Sequence, residues 1–284
     1  MTALFAEVIG DPIAQSKSPL IHNFWLSKLG LAADYRSSHV RQGDLETYVA
    51  DSRRNDDWVG CNVTMPHKQS MLSQLDRLDP IAQRIGAANT VVREGSELAG
   101  YNTDAAGFLE PLHDHLQQAH LFRMARVLGT GGAARAIVTA LADEGFTLVL
   151  AGRNPDKAQA ILDELTEGGE HYAVPLNHFA HPTDFAFDDR EGCLDLIVNA
   201  SPLGMRGSPP LEFDWSHAPP GSVAYDIVTD PVRTPFLAHA QQAEFQTIDG
   251  ISMLIGQAAA AFERFFGQSP PRSHDQELRE KLKA

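Results

Sequence analysis

Four clusters of polar side chains in the first part of the chain have the types and spacing that chemistry on a small polar molecule requires. Ser16 and Ser18 alternate on one loop, so two hydroxyls can converge on a carboxylate, although such serines also serve turns and helix caps. Asn62, Thr64 and Lys68 stand at the end of an apolar run that reads as a strand, where a parallel sheet opens its ligand crevice. Taken alone, Lys68 reads more simply as an exposed helix lysine. Asn89 and Thr90 close the run Gly86-Ala87-Ala88-Asn89-Thr90 and place an unusual polar pair at the start of a strand. Asn102 and Asp104 stand at the end of the next strand, ahead of a helix, where an aspartate also serves as an N-cap.

A different chemistry is written at 127–134, Val-Leu-Gly-Thr-Gly-Gly-Ala-Ala. A short apolar strand runs into Gly129, Thr130, Gly131, Gly132 and Ala133, and a helix follows at once. Glycines let the backbone turn tightly and approach a ligand without Cβ clashes. The helix start offers unpaired N–H groups and a positive dipole end, which suits a pyrophosphate. Gly129, Gly131 and Ala134 match the G-x-G-x-x-G/A dinucleotide pattern, against the plainer alternative of a glycine-rich turn. The next strand ends Ala151-Gly152-Arg153-Asn154, with no acid to bond the ribose hydroxyls of NAD. A guanidinium there can grip a 2′-phosphate, so the cofactor expected is NADP, with Arg153 as its reader; the alternative is a solvated loop arginine.

Placing these residues requires two sets of elements. In the first part, strands are expected near 4–9, 33–40, 58–64, 88–93 and 97–101. Helices are expected from Ser18, as N-cap with Pro19 at N1, to about Leu29; near 43–53; from about His67; and over 79–85 and 105–115. Pro111 lies inside the last of these and is expected to kink or break it. From 126 onward strands (126–128, 147–151, 172–175, 194–199, 222–227, 245–248) alternate with helices (133–143, 155–166, 235–243), the pattern of a doubly wound parallel sheet. A long apolar helix over 250–265 and a short one near 276–283 end the chain.

The 284 residues allow two domains. A net charge of −14 argues against a nucleic-acid partner, which needs a basic surface. Two cysteines, Cys61 and Cys193, lie far apart; they fit a reducing, cytoplasmic location and supply no disulfide framework. No signal peptide and no membrane span are expected, since no uncharged apolar run approaches ~20 residues. The 12 histidines suggest no metal: His113 and His115 sit i, i+2 on different helix faces, and His171, His178 and His181 show no ligand spacing. Ser201, in Asn199-Ala200-Ser201-Pro202, is expected to face the cofactor crevice or to form a turn.

Together, Ser16-Lys17-Ser18-Pro19, Asn62-Val63-Thr64-x-Pro66-x-Lys68, Gly86-Ala87-x-Asn89-Thr90, Asn102-Thr103-Asp104, Gly129-x-Gly131-Gly132-Ala133 and Asp249-Gly250-x-x-Met253-Leu254-x-x-Gln257 resemble the shikimate dehydrogenase signature in order and spacing. The resemblance covers nearly the whole chain, and it is the joint occurrence that is specific. It implies an NADP-linked, reversible reduction of 3-dehydroshikimate to shikimate. It places the substrate carboxylate on Ser16 and Ser18, and the ring hydroxyls near Thr64, Asn89, Asp104 and Gln257, with Asn62 in the same cluster. It makes Lys68 the proton-transferring group, paired with Asp104. The glycine loop would hold the pyrophosphate and 152–157, including Gly152, Arg153, Asn154 and Lys157, the adenosine phosphate. Backbone at Ile227 and Gly250 would lie by the nicotinamide. Independent chemistry agrees: hydride addition to a ketone makes an alkoxide, which needs a proton donor, and an ammonium oriented by a carboxylate supplies one without a metal.

The implied architecture is α/β with two domains. A substrate domain with a mixed, mainly parallel sheet spans 1–104 and regains 250–284; a Rossmann-like nucleotide domain spans 105–249. Two positions depart from the family. Gly152 stands where an Asn is often found, and Thr229 where a substrate-facing Tyr is usual, three residues after Asp226. A threonine reaches less far, which implies weaker carboxylate binding or a different substrate. Competing readings are a quinate/shikimate dehydrogenase using NAD and a non-catalytic nucleotide-sensing relative; retention of both Lys68 and Asp104 speaks against the latter. The expected partners are the small-molecule substrate alone, with a monomeric or homodimeric chain.

Overall fold

The structure is a computed structural model that describes residues 4–185, 187 and 192–283. The strands are β1 (Leu4–Gly10), β2 (Ala33–His39), β3 (Trp58–Val63), β4 (Arg77–Leu78), β5 (Thr90–Glu94), β6 (Glu97–Tyr101), β7 (Phe122–Leu128), β8 (Thr147–Gly152), β9 (Tyr172–Pro175), β10 (Cys193–Asn199), β11 (Val223–Asp226) and β12 (Gln246–Ile248). The helices are α1 (Ser18–Leu29), α2 (Leu45–Arg54), α3 (Pro80–Ile85), α4 (Asp104–Leu109), α5 (His113–Leu116), α6 (Gly132–Asp143), α7 (Pro155–Leu165), α8 (Pro235–Gln242), α9 (Gly250–Phe266) and α10 (Asp275–Lys283). The chain divides into two compact units, Met1–Gly107 with Ile255–Ala284, and Phe108–Leu254. No helix among the described residues is long and apolar enough to cross a membrane.

The first unit holds a mixed six-stranded sheet in the order β2-β1-β3-β5-β6-β4. β1 pairs in parallel with β2 and β3, β5 runs antiparallel to β3 and β6, and β4 lies parallel to β6. This topology sends the ends of β1, β3 and β6, and the start of β5, to one edge of the sheet. Three of the polar clusters, Asn62 to Lys68, Asn89–Thr90 and Asn102 to Asp104, lie at or just past those strand ends, whereas Ser16 lies in the loop after β1 and Ser18 opens α1. One apolar layer, including Phe5, Ile9, Val49, Trp58, Val63 and Met71, packs between the sheet and its helices. The last long helix returns to this unit: Phe262 meets Trp25 edge-on at 5.5 Å, and Phe265 lies 6.3 Å from Tyr35.

The second unit holds an all-parallel sheet in the order β12-β11-β10-β7-β8-β9. Its first three strands in sequence (β7, β8, β9) run outward one way and the next three (β10, β11, β12) the other. That is the doubly wound dinucleotide-binding order, with its switch point between β7 and β10. The α/β class with a Rossmann-like unit is therefore as expected.

Several local expectations are corrected. No α-helix starts at His67: the carbonyl of Lys68 accepts from Ala88 N at 2.8 Å, a long-range bond that diverts it from a helix ladder, and only a 3-10 turn forms over Ser70–Gln74. Ser18 does not cap α1; it is the first helical residue, and its N–H donates to the Ser16 hydroxyl at 3.3 Å. The helix drawn over 105–115 breaks at Pro111 into α4, a 3-10 turn over Glu110–Leu112, and α5. β7 starts four residues before the apolar run, because Phe122–Ala125 pairs with Cys193–Leu196 of β10. The two-residue strand β4 carries no periodicity of its own and exists by pairing with β6.

Candidate active site

At the crevice of the first unit, Lys68 Nζ lies 2.5 Å from Asp104 Oδ2. The Asp104 carboxylate does not cap α4. Its other oxygen accepts from Asn89 Nδ2 at 2.8 Å, while its own N–H donates to Asn102 Oδ1 at 3.0 Å, so Asn102 closes the turn instead. Asn89 is buried, and its amide bonds several groups of the protein. Its Oδ1 accepts from Thr103 N at 2.8 Å, and its Nδ2 also faces the Thr103 hydroxyl at 2.9 Å and Gln257 Oε1 at 3.4 Å. Gln257 comes from α9, brought close because α4 has Gly107 there: a Cβ at 107 would lie 2.5 Å from Gln257 N.

Asn62 is buried, and its amide bonds within the protein to Tyr35, Asn89 and Thr90. Thr64, half-buried, follows directly. Its methyl lies where a side chain at Gly10 would collide, at 2.5 Å, so the bare backbone of Gly10 lets the β1 and β3 ends close up. Ser16 lies in the loop after β1 and Ser18 is the first residue of α1, its N–H donated to the Ser16 hydroxyl. His67 is buried and bonded through Nε2 to Val40 O at 2.6 Å, which anchors the turn carrying Lys68. Cys61 packs as a small apolar side chain, and burial pushes its thiol well above the usual range.

In the second unit, Gly129 sits at φ 129°, and a Cβ there would meet the Ala200 carbonyl oxygen at 2.6 Å. Only glycine fits that contact between the β7 and β10 ends. No side chain caps α6, whose first residues are Gly132 and Ala133, and a Cβ added at Gly131 would meet open space. The helix start is thus free to receive an anion. Gly152 faces Thr130: a Cβ at 152 would lie 2.7 Å from the threonine methyl, which accounts for the glycine. Asn154 caps α7, accepting from the N–H groups of Asp156 and Lys157 at 3.0 and 3.3 Å. Arg153 and Lys157 are exposed, and Arg153 makes no ion pair among the described residues. Arg153 opens onto a cleft of about 480 Å³ lined by Leu176, Asn177, Leu203, Pro209 and Leu211. These features fit a phosphorylated dinucleotide.

The loops after β10 and β11 are tied by a network that the sequence reading did not single out. Asn199, Asp226 and Thr234 are fully buried. Asp226 accepts from Asn199 Nδ2 at 3.0 Å, Val228 N at 3.0 Å and the Thr234 hydroxyl at 2.6 Å. Burial pushes its carboxyl up to about 6 despite these donors. Ser201 is a turn residue, donating to Asn199 Oδ1 at 2.7 Å and accepting from Leu203 N at 3.2 Å. Gly250 packs against this loop, with the carbonyl oxygens of Val228 and Ile227 occupying the space that its Cβ would need. Thr229 follows, half-buried. The signal that could have found the network is three polar residues at the ends of otherwise apolar strands and at a helix N-cap. Among the described residues no group of three or more His, Cys, Asp or Glu is arranged to hold a metal ion.

An amine paired with a buried carboxylate at a sheet edge, and a doubly wound sheet with a glycine turn, together mark a two-unit α/β oxidoreductase. The sequence profile of the shikimate dehydrogenase substrate binding domain matches residues 8–91, and that of the shikimate 5′-dehydrogenase C-terminal domain matches residues 250–277. The NADP(+) shikimate dehydrogenase of Sphingopyxis alaskensis is 47% identical over 283 residues, covering 99% of this chain and 97% of its own. That of Paramagnetospirillum magneticum is 40% identical, covering 94% of each. Among solved structures, the shikimate 5-dehydrogenase of Thermus thermophilus, in complex with NADP(H) and shikimate, superposes with a TM-score of 0.81 at 34% identity, over 98% of this chain and 99% of its own. The chain belongs to the shikimate dehydrogenase family.

Proposed function

We propose that this protein catalyses the reversible, NADP-linked reduction of 3-dehydroshikimate to shikimate in aromatic amino acid biosynthesis. The observation that carries the reading is the Lys68–Asp104 pair, held at 2.5 Å beside the uncharged hydrogen-bonding side chains of Asn89, Thr103 and Gln257. Bound NADPH supplies the hydride. Lys68 Nζ gives a proton to the oxygen that becomes the new hydroxyl, and takes it back in the oxidation direction. Asp104 keeps the ammonium oriented and balances its charge. Asn89, Thr64 and Gln257 hold the ring hydroxyls, and Ser16 and Ser18 the carboxylate. Asn62 belongs to the same shell and supports Asn89. Thr229 contributes a shorter reach toward the substrate than a tyrosine would.

On the nucleotide side, Gly129, Thr130, Gly131, Gly132 and Ala133 hold the pyrophosphate. Arg153, with Gly152, Asn154 and Lys157, binds the 2′-phosphate, and the adjoining cleft takes the adenosine. Ile227, Gly250 and Ser201 border the nicotinamide end. The residues 1–104 with 250–284 form the substrate domain and 105–249 the nucleotide domain, and a cytoplasmic location goes with this reading.

The test is a steady-state assay of the purified protein with shikimate or quinate and NADP+ or NAD+, following reduced cofactor by absorbance. Shikimate with NADP+ is expected to give the highest kcat/KM. A preference for quinate with NAD+ would replace this reading with the broader quinate/shikimate activity, and no turnover with any pair would remove it.

A further inference from the structure

A hydrogen-bond chain runs from the buried first strand pair to the proton-transfer pair, and its direction is set by groups that can act only one way. The N–H of Thr103 can only donate, so the atom of Asn89 facing it at 2.8 Å is Oδ1, and Nδ2 is turned to Asp104. The main-chain carbonyl of Asn89 can only accept, so the atom of Asn62 facing it at 3.3 Å is Nδ2. That leaves Asn62 Oδ1 toward the Tyr35 hydroxyl, 2.6 Å away, which must donate. Between the two amides, the Thr90 hydroxyl accepts from Asn62 Nδ2 at 3.0 Å and donates to Asn89 Oδ1 at 3.0 Å. Every donor from Tyr35 onward therefore points toward the Asp104 carboxylate, which Lys68 meets from the other side.

Tyr35 is built to hold still. Its N–H and C=O are both bonded to the Asn23 side chain, at 3.0 and 2.6 Å. Its ring stacks on His22 at 3.9 Å and 4°. Ala6 stands opposite it in register, and the space a side chain at Gly60 on the next strand would need is taken by the Phe265 ring, whose centroid lies 6.3 Å from that of Tyr35. It is 1% exposed and so does not touch a ligand. Burial, reinforced by Cys61 and Glu7, raises its phenol well above the usual range, so it remains a donor; burial also lowers His22 to about 3, so its stacking partner is neutral.

We propose that Tyr35 is a positioning residue for catalysis: its hydroxyl, acting through Asn62 and Thr90, reinforces the orientation that the Thr103 N–H gives the Asn89 amide and so steadies the Asp104 carboxylate against Lys68. The inference rests on the dehydrogenase reading above. Buried networks of this kind transmit orientation because a reversed amide would leave several groups unsatisfied at once.

The experiment is kinetics on Tyr35→Phe, which keeps the ring stack and removes only the hydroxyl, and on Thr90→Val, which is isosteric and cuts the same chain two links nearer Asp104. Each is expected to lower kcat by roughly 10- to 100-fold, the scale of a misplaced catalytic group, with a smaller rise in the KM for shikimate because Asn89 also meets the ring hydroxyls. A purely structural role would lower thermal stability without that split. In an Asn62→Leu background, Tyr35→Phe is expected to cost nothing further, because its route is already cut. Wild-type kcat in both single variants, or an undiminished loss in the Asn62→Leu background, overturns the proposal while leaving the functional reading intact. Failure of the unmodified protein to oxidise shikimate overturns both.

Discussion

Lys68 and Asp104 are joined at 2.5 Å although 36 residues separate them, and their side chains are only 17% and 6% exposed. An ion pair this enclosed is not a surface ornament. Lys68→Ala removes the proton donor, so kcat is expected to fall by ~10²–10⁴ with little change in KM for shikimate. Steady-state kinetics check it, and unchanged turnover would take Lys68 out of the mechanism.

Arg153 lines its cleft together with Glu212 and makes no ion pair among the described residues. Arg153→Ala is expected to weaken NADPH by roughly 1.5–3 kcal/mol, the worth of lost charged hydrogen bonds, and to leave NADH almost untouched. Fluorescence titration with the two cofactors separates the outcomes. Equal loss for both would mean that the arginine supports the loop and reads no phosphate.

Gly129 and Gly131 should behave differently although they are two residues apart. Gly129→Ala forces a side chain into left-handed backbone and against the Ala200 carbonyl. It is expected to cost at least about 1–3 kcal/mol of stability, seen in urea denaturation. Gly131→Ala meets no protein atom and has extended backbone, so stability should hold while NADP binding weakens. A stable Gly129→Ala protein, or undiminished NADP binding by Gly131→Ala, would contradict this account of the loop.

Asp226 gives a pH signature. Its folded pKa, about 6, lies above the ordinary 3.8 because burial disfavours the charge. The native state therefore holds this proton more tightly than the unfolded chain. Its contribution is fullest below about pH 4 and is lost as pH rises through about 6, on the order of 3 kcal/mol in all. Asp226→Asn removes the titration. The difference in unfolding free energy between wild type and variant should therefore fall between pH 4 and 7, measured by urea melts at each pH. A difference that does not change with pH would show that the carboxyl does not titrate in this window.

Much of the architecture was legible because it is local. Apolar runs alternating with helical periods define the doubly wound sheet, Gly129 to Ala133 mark its first turn, and Pro111 marks the break after α4. The chemistry-bearing residues were legible through their joint order and spacing, since each Ser, Lys or Asp alone reads as readily as a turn, surface or cap residue. What tertiary structure decided is direction and partnership. The turn at His67 is no helix because Ala88, twenty residues beyond Lys68, takes that lysine's carbonyl. Tyr35 lies in a weakly alternating edge strand and looks like ordinary packing, yet its hydroxyl heads the chain to Asp104. Gly152 is explained only by the methyl of Thr130. Sequence patterns record which side chains prefer burial or a turn. Which donor meets which acceptor depends on strand register and on segments distant in the chain, and those exist only once the sheet has formed.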